Sequence, residues 1–248
     1  MKLLHFCIIY LVLFWSTAIY GQNIPIKTKT YYPKDSLRFA AETDFSFHNE
    51  VGYEQSLYGK TTMIIKAESR VGNYYLIFKK KIKSTDHQEA HMQDVYGTLA
   101  DGTYAVVRQD EVPGYTLTDH NLYAFIFIED HAGLLEKVRF QDFGNMLYWP
   151  QFDYENCFVA DENRDGLPEF YLSYMGDSDG LDAKPYKQLV YYFTKDDKQF
   201  VKAKATAYYP AGNEEDVYHV DYDQAWKNMP VKFQHKSKAV LARIAPEL

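Results

Sequence analysis

The chain has 248 residues, of which 46% are hydrophobic and 25% charged, and its 34 acidic against 27 basic residues give a net charge of −7. That length suits one large β domain or two small ones, and the even mixture of apolar and charged residues excludes a disordered chain. The acidic balance argues against nucleic acid or an anionic membrane as partner, because both need a basic surface.

The N-terminus has the pattern of an export signal. Lys2 precedes an almost unbroken apolar run, Leu3–Phe14, and the small residues Ser16, Thr17, Ala18 and Gly21 follow. Residues 1–21 therefore read as a signal peptide cut after Gly21, which places the product in the periplasm, at the cell surface or outside the cell. The apolar run falls short of the roughly 20 residues that a membrane-spanning helix needs. Loss of this segment removes one Lys and no acid, so the remaining chain carries −8. It also leaves Cys157 as the single cysteine, which excludes an internal disulfide and reads as a buried, inert thiol.

Residues 22–60 form an N-terminal extension with one or two short strands, and residues 61–248 form a single β-rich domain. Aromatic residues make up 17% of the chain, including 23 Tyr, and such residues favour the half-buried surface of a sheet. Thr61–Ala67 and Tyr74–Ile82 are strand-like runs, with a tight turn expected at Gly72-Asn73. Val95–Leu99 and Thr103–Arg108 flank Asp101-Gly102, a strong short hairpin signal. Between these hairpins, His87-Gln88-Glu89-Ala90-His91 has histidines four apart. A zinc protease pattern places Glu directly after the first His on a helix. Glu89 comes one residue late, so a solvated linker is expected.

Asn121–Glu129 (NLYAFIFIE) is a nearly continuous apolar run, as in a strand covered on both faces. Gly133 separates it from Leu134–Phe140. Lys187–Thr194 and Phe200–Ala207 bracket the polar turn Lys195–Lys198, and Val201, Ala203, Ala205 and Ala207 alternate with polar residues at period two. None of these connections has room for a crossover helix, so the fold class is mainly β. The sheets are antiparallel and built from hairpins, in a sandwich or a propeller-like fragment. At the end of the chain, Asn228 is expected to cap a helix with Pro230 in its first turn. Phe233, Ser237, Val240, Leu241 and Ile244 share one face of this amphipathic helix, which docks on the sheet.

The sharpest local pattern is Asp161-Glu162-Asn163-Arg164-Asp165-Gly166-Leu167-Pro168-Glu169. Oxygen-bearing side chains at positions 1, 3, 5 and 9 can wrap one hard cation, with Gly166 allowing the bend and Leu167 giving its backbone carbonyl. Ca²⁺, which takes six to eight oxygens, is the expected cofactor, held by Asp161, Asn163, Asp165, Leu167 and Glu169. Position 12 is Leu172, so the loop lacks the bidentate Glu of an EF-hand. Strand-like segments flank it, Asn156–Ala160 before and Phe170–Tyr174 after. In this the loop resembles the strand–loop–strand calcium sites of integrin-type FG-GAP repeats, with Asn163 standing where Asp is usual.

A second acidic stretch, Asp177-Ser178-Asp179-Gly180-Leu181-Asp182, reads first as a solvated turn. It also holds the carboxylates that a glycan-active enzyme would need. No nucleophile elbow, phosphate loop, dinucleotide fingerprint or Cys/His pairing is present in the sequence.

The segments NLYAFIFIED, FVADENRDGLPEFYLSYMGDSDGLDAKPYKQLVYYF and KAKATAYYP, within residues 120–210, are similar to a family of exported Bacteroidota proteins associated with surface polysaccharide biosynthesis. The resemblance implies a cell-envelope or secreted setting and a surface glycan or envelope protein as partner, and it implies no particular chemistry. The expectation is an exported, calcium-stabilised, non-catalytic β domain, with a glycan-active enzyme as the alternative.

Overall fold

Period-two alternation governs the architecture, because each central strand carries apolar side chains on both faces and needs a layer on each side. In a computed structural model of the protein, residues 25–31, 55–131, 133–194, 199–211 and 217–245 are described. The expected export signal at residues 1–21 lies outside them. Two antiparallel sheets face each other. The first has the strand order β1-β2-β3-β6-β7, from β1 (Lys27–Tyr31), β2 (Lys60–Ser69), β3 (Gly72–Gln88), β6 (Tyr115–Asp130) and β7 (Gly133–Phe143). The second runs β13-β12-β11-β10-β8, from β8 (Tyr148–Phe152), β10 (Glu169–Ser178), β11 (Lys184–Phe193), β12 (Phe200–Tyr209) and β13 (His219–Tyr222). The short β9 (Phe158–Ala160) also pairs with β10. A strand was expected from Asn156, but Tyr154–Asn156 is a single 3₁₀ turn capped by Asp153.

Between the sheets lies a shared core. Met63, Leu76, Phe78 and Ile126 from the first meet Phe170, Leu172, Leu189 and Tyr191 from the second. Side chains of this size each stabilise the fold by about 1.5–3 kcal/mol when removed from water. The Asn121–Glu129 run is covered on both faces. Leu122, Ala124 and Ile126 enter the shared core, while Tyr123 and Phe125 sit 5.0 Å from Tyr58 of α1 (Gln55–Tyr58) on the opposite face.

The outer face of the second sheet carries two helices, α2 (Gln224–Asn228) and α3 (Val231–Ile244). The alternation along β12 explains the close docking: Ala203, Ala205 and Ala207 are fully buried and leave room for Trp226, Met229, Phe233 and Leu241. The buried face of α3 holds Phe233, Ser237, Val240 and Leu241, as its spacing predicts. Its start differs from the expectation. Asn228 ends α2, whose cap is Asp223, and Pro230 occupies the N-cap of α3 without a side-chain cap. The two helices are separated by Met229, which is buried among the apolar residues and interrupts the helical run.

The first hairpin is also displaced. Ser69 pairs with Gly72, so Arg70-Val71 form the turn and Gly72-Asn73 belong to β3. The Ser69 hydroxyl holds the turn, donating to the Gly72 carbonyl at 2.8 Å and accepting from the Val71 amide at 3.3 Å. Asp101-Gly102 does turn the chain between β4 (His91–Thr98) and β5 (Tyr104–Val112), with Gly102 at φ +85°.

β4 and β5 prolong β3 and β6 into a two-stranded ribbon. The β3–β6 ladder ends at Gln88↔Tyr115, and the β4–β5 ladder runs from His91↔Val112 to Thr98↔Tyr104. No residue between 81 and 119 is buried. At about 3.3 Å per residue the ribbon reaches roughly 50 Å. The His87–His91 segment, expected as a linker, is thus mostly strand; His87 bonds Thr116 and His91 bonds the Glu89 carbonyl. A ribbon with no buried side chain contributes little to global stability. Replacing residues 85–118 with Asn-Gly, across the Ser84↔Asp119 pair, is expected to leave the melting temperature within about 5 °C by circular dichroism. A larger fall would show that the ribbon supports the body.

Candidate metal centre

The loop Asp161–Pro168 joins β9 to β10, and the pair Ala160↔Glu169 closes its base. Strand pairing therefore brings the two ends of the acidic stretch together. Within the loop, carboxylates accept from backbone amides. Asp161 receives the amides of Asp165 and Gly166, each at 3.0 Å; Asp165 receives that of Leu167 at 2.8 Å; and Glu169 receives that of Glu162 at 2.9 Å. Asn163 turns inward too, accepting from the Asp165 amide at 3.0 Å and donating to the Asp165 carboxylate at 2.7 Å. Arg164 and Gly166 adopt positive φ, +62° and +79°, to make the bend. Gly166 is required for a second reason: a Cβ there would meet the Arg70 side chain at 2.8 Å.

One carboxylate oxygen from each of Asp161, Asp165 and Glu169 lies within 4.8 Å of the others. Two oxygens on opposite sides of one Ca²⁺ stand roughly 4.6–5.2 Å apart, so this triangle matches the span of a single ion. Among the described residues it is the one group of three His, Cys, Asp or Glu side chains so gathered. Asn163 joins it through Asp165. Leu167 turns its side chain into the protein and is 6% exposed.

Burial is uneven across the three acids. Asp165 is exposed, Asp161 is half-buried and Glu169 is 2% exposed. Desolvation, reinforced by the charges of Asp161, Asp165 and Glu162, pushes the Glu169 carboxyl up to about 8. Two positions along the strand, and so on the same face as Glu169, Tyr171 is 0% exposed and its hydroxyl has no partner. The charges of Glu169 and Glu162 act on that hydroxyl. A buried carboxylate crowded by like charges suits a bound cation.

Residues far away in sequence hold the loop. Arg70, in the β2–β3 turn of the first sheet, donates through Nε to the Asp165 carbonyl at 2.8 Å and through its amide to the Gly166 carbonyl at 3.4 Å. Lys236 of α3 pairs with Glu162 at 2.9 Å. Arg70, Lys236 and Tyr171 escaped the sequence reading. Tyr171 was accessible through its spacing from Glu169, whereas contacts spanning many tens of residues leave no local pattern.

The other candidates lie elsewhere. Asp177 at the end of β10 and Asp179 and Asp182 in the β10–β11 turn are exposed. That turn is tied by Lys184 to the Ser178 hydroxyl at 2.9 Å and the Gly180 carbonyl at 2.6 Å. Cys157 is buried between Ser173 N–H and C=O, and burial holds its thiol well above the ordinary range. No helix among the described residues is long and apolar enough to cross a membrane. Comparison of the chain with protein families, curated proteins and solved structures returns no match.

The raised Glu169 carboxyl makes a signed prediction for protein stripped of metal. The unfolded chain loses this proton near pH 4.5 and the folded chain near 8, so folding favours the protonated form. The corresponding stability is complete below about pH 4.5 and is lost as pH rises to 8, by at most about 1.4 kcal/mol per unit. Urea titrations in chelator across pH 5–8 are expected to show this decline, and Glu169→Gln should flatten it. An unchanged slope in the variant would show that Glu169 does not carry it.

Proposed function

We propose that this is an exported β domain stabilised by Ca²⁺ at the Asp161–Glu169 loop, which binds or supports surface glycan or envelope protein without catalysing a reaction. One observation carries the reading: three carboxylates converge to the span of one ion at the point where both sheets and α3 meet. Asp161, Asp165 and Glu169 supply charged oxygens, Asn163 its amide oxygen and Leu167 its carbonyl, with water completing the shell. Export rests on the apolar run behind Lys2. The non-catalytic role rests on the lack of a nucleophile elbow, phosphate loop, dinucleotide fingerprint or Cys/His pairing in the sequence, and the envelope setting on what the resemblance of residues 120–210 to exported Bacteroidota proteins implies. The alternative, a glycan-active enzyme, rests on the exposed carboxylates of Asp177, Asp179 and Asp182.

A folded-state ligand at a hundred times its dissociation constant adds about 2.7 kcal/mol. For a domain of this size that corresponds to roughly 5–10 °C in melting temperature. Scanning calorimetry with calcium is expected to show a rise of this order, with magnesium giving much less, and Asp165→Ala should abolish it. If titration calorimetry detects no calcium binding to the wild-type protein, the metal reading is wrong.

A further inference from the structure

The second sheet reaches beyond the first. Among the described residues, Phe200 is the single residue of β12 packed on the shared core, and none comes from β13. Ala203, Ala205 and Ala207 face the helices, so Lys204, Thr206 and Tyr208 point to the opposite, uncovered side of β12. A cleft of about 400 Å³ opens there, and its walls also carry Asp221 of β13, Asp223 and Lys227 of α2. Ligand pockets run to roughly 300–1,000 Å³, so the space suits a small molecule. Two features of the lining are unsatisfied. Thr206 is 4% exposed, yet its hydroxyl has no hydrogen-bond partner among the described residues. Lys204 and Lys227 form no ion pair among those residues, although two aspartates line the same cleft. Asp223 is already engaged, accepting the Trp226 amide at 2.7 Å.

We infer that this cleft is a subsite for a hexuronate, the carboxylate-bearing sugar residue of an acidic glycan. The inference deepens the glycan reading above and rests on it, but it makes no use of the calcium loop. The mixture of signs selects the class. A neutral sugar leaves both ammonium groups unpaired. A small inorganic anion brings no hydroxyl to Asp221 and is repelled by its charge. A hexuronate carries both kinds of group. Its carboxylate pairs with Lys204 and Lys227 in charge-assisted hydrogen bonds, while its hydroxyls donate to Asp221 and bond the buried Thr206 hydroxyl. Thr206 and Asp221 are direct partners in the β12–β13 ladder, so they serve neighbouring hydroxyls of one ring. Tyr208 is held in place by stacking on His219 at 4.8 Å, and gives the C–H face of the sugar an apolar wall.

Titration calorimetry of the purified wild-type protein in chelator tests this, the chelator keeping calcium at the acidic loop out of the measurement. Methyl galacturonide and methyl glucuronide are each compared with methyl galactoside and methyl glucoside, the neutral sugars that differ from them at C6 alone. At least one uronide is expected to bind with a dissociation constant on the order of millimolar, and its neutral counterpart about tenfold more weakly. Lys204→Gln and Thr206→Val should each weaken that uronide by about tenfold, with the circular dichroism spectrum unchanged. Full retention of binding in both variants overturns the subsite, as does inorganic phosphate that binds as tightly as the uronide. Neutral glycosides binding as well as or better than uronides overturn it too, and leave the glycan reading standing. If no glycoside of either kind binds, the subsite falls together with that reading, and calcium titration without chelator decides the loop on its own.

Discussion

Three carboxylates share a space about the width of one hydrated ion, and one of them is buried. That crowding is the constraint from which the rest of the site follows. Each acid accepts at least one backbone amide, and Lys236 takes up the charge of Glu162. Glu169 still faces two like charges in a desolvated position. Only a proton or a cation can relieve this, and the two compete for the same oxygens. A proton satisfies Glu169 alone, whereas a divalent ion satisfies all three acids.

The position of the loop turns a local charge balance into a global one. Arg70 grips its carbonyls from the first sheet, the Ala160↔Glu169 pair ties it into the second, and Lys236 reaches it from α3. Under the proposed reading, cation occupancy orders a segment to which three layers are anchored. The layers also have their own adhesion through the shared core and the alanine face of β12. The loop therefore adjusts stability and does not create the fold.

What could be read from the chain divides along the range of the interaction. The alternation in β12, the two-sided apolar run of β6 and the Asp101-Gly102 turn are local, and each appears in the structure. The acidic loop was also legible, because its three acids fall within nine residues and strand pairing does the rest. Errors arose where two local signals competed. Gly72-Asn73 looked like the turn, yet the Ser69 hydroxyl holds a turn at Arg70-Val71 and moves Gly72 into the strand. Asn228 looked like a cap, yet burial of Met229 interrupts the helical run after it. Arg70 and Lys236 were illegible for a different reason. Their roles exist only after the sheets have packed.

The two acidic stretches of the second sheet separate composition from geometry. Both are rich in Asp, both contain Gly, and both connect to β10. In the first, the acids sit at the two ends and in the middle of a loop whose base is closed by a strand pair, so folding drives their side chains inward. In the second, Lys184 ties down the backbone through Ser178 and Gly180, and the three aspartates are left at the surface. Counting acids would rank the two alike. What distinguishes them is whether the backbone amides and the strand register spend the loop's hydrogen bonds on its carboxylates, and only the Asp161–Glu169 loop does that for all three of its converging acids.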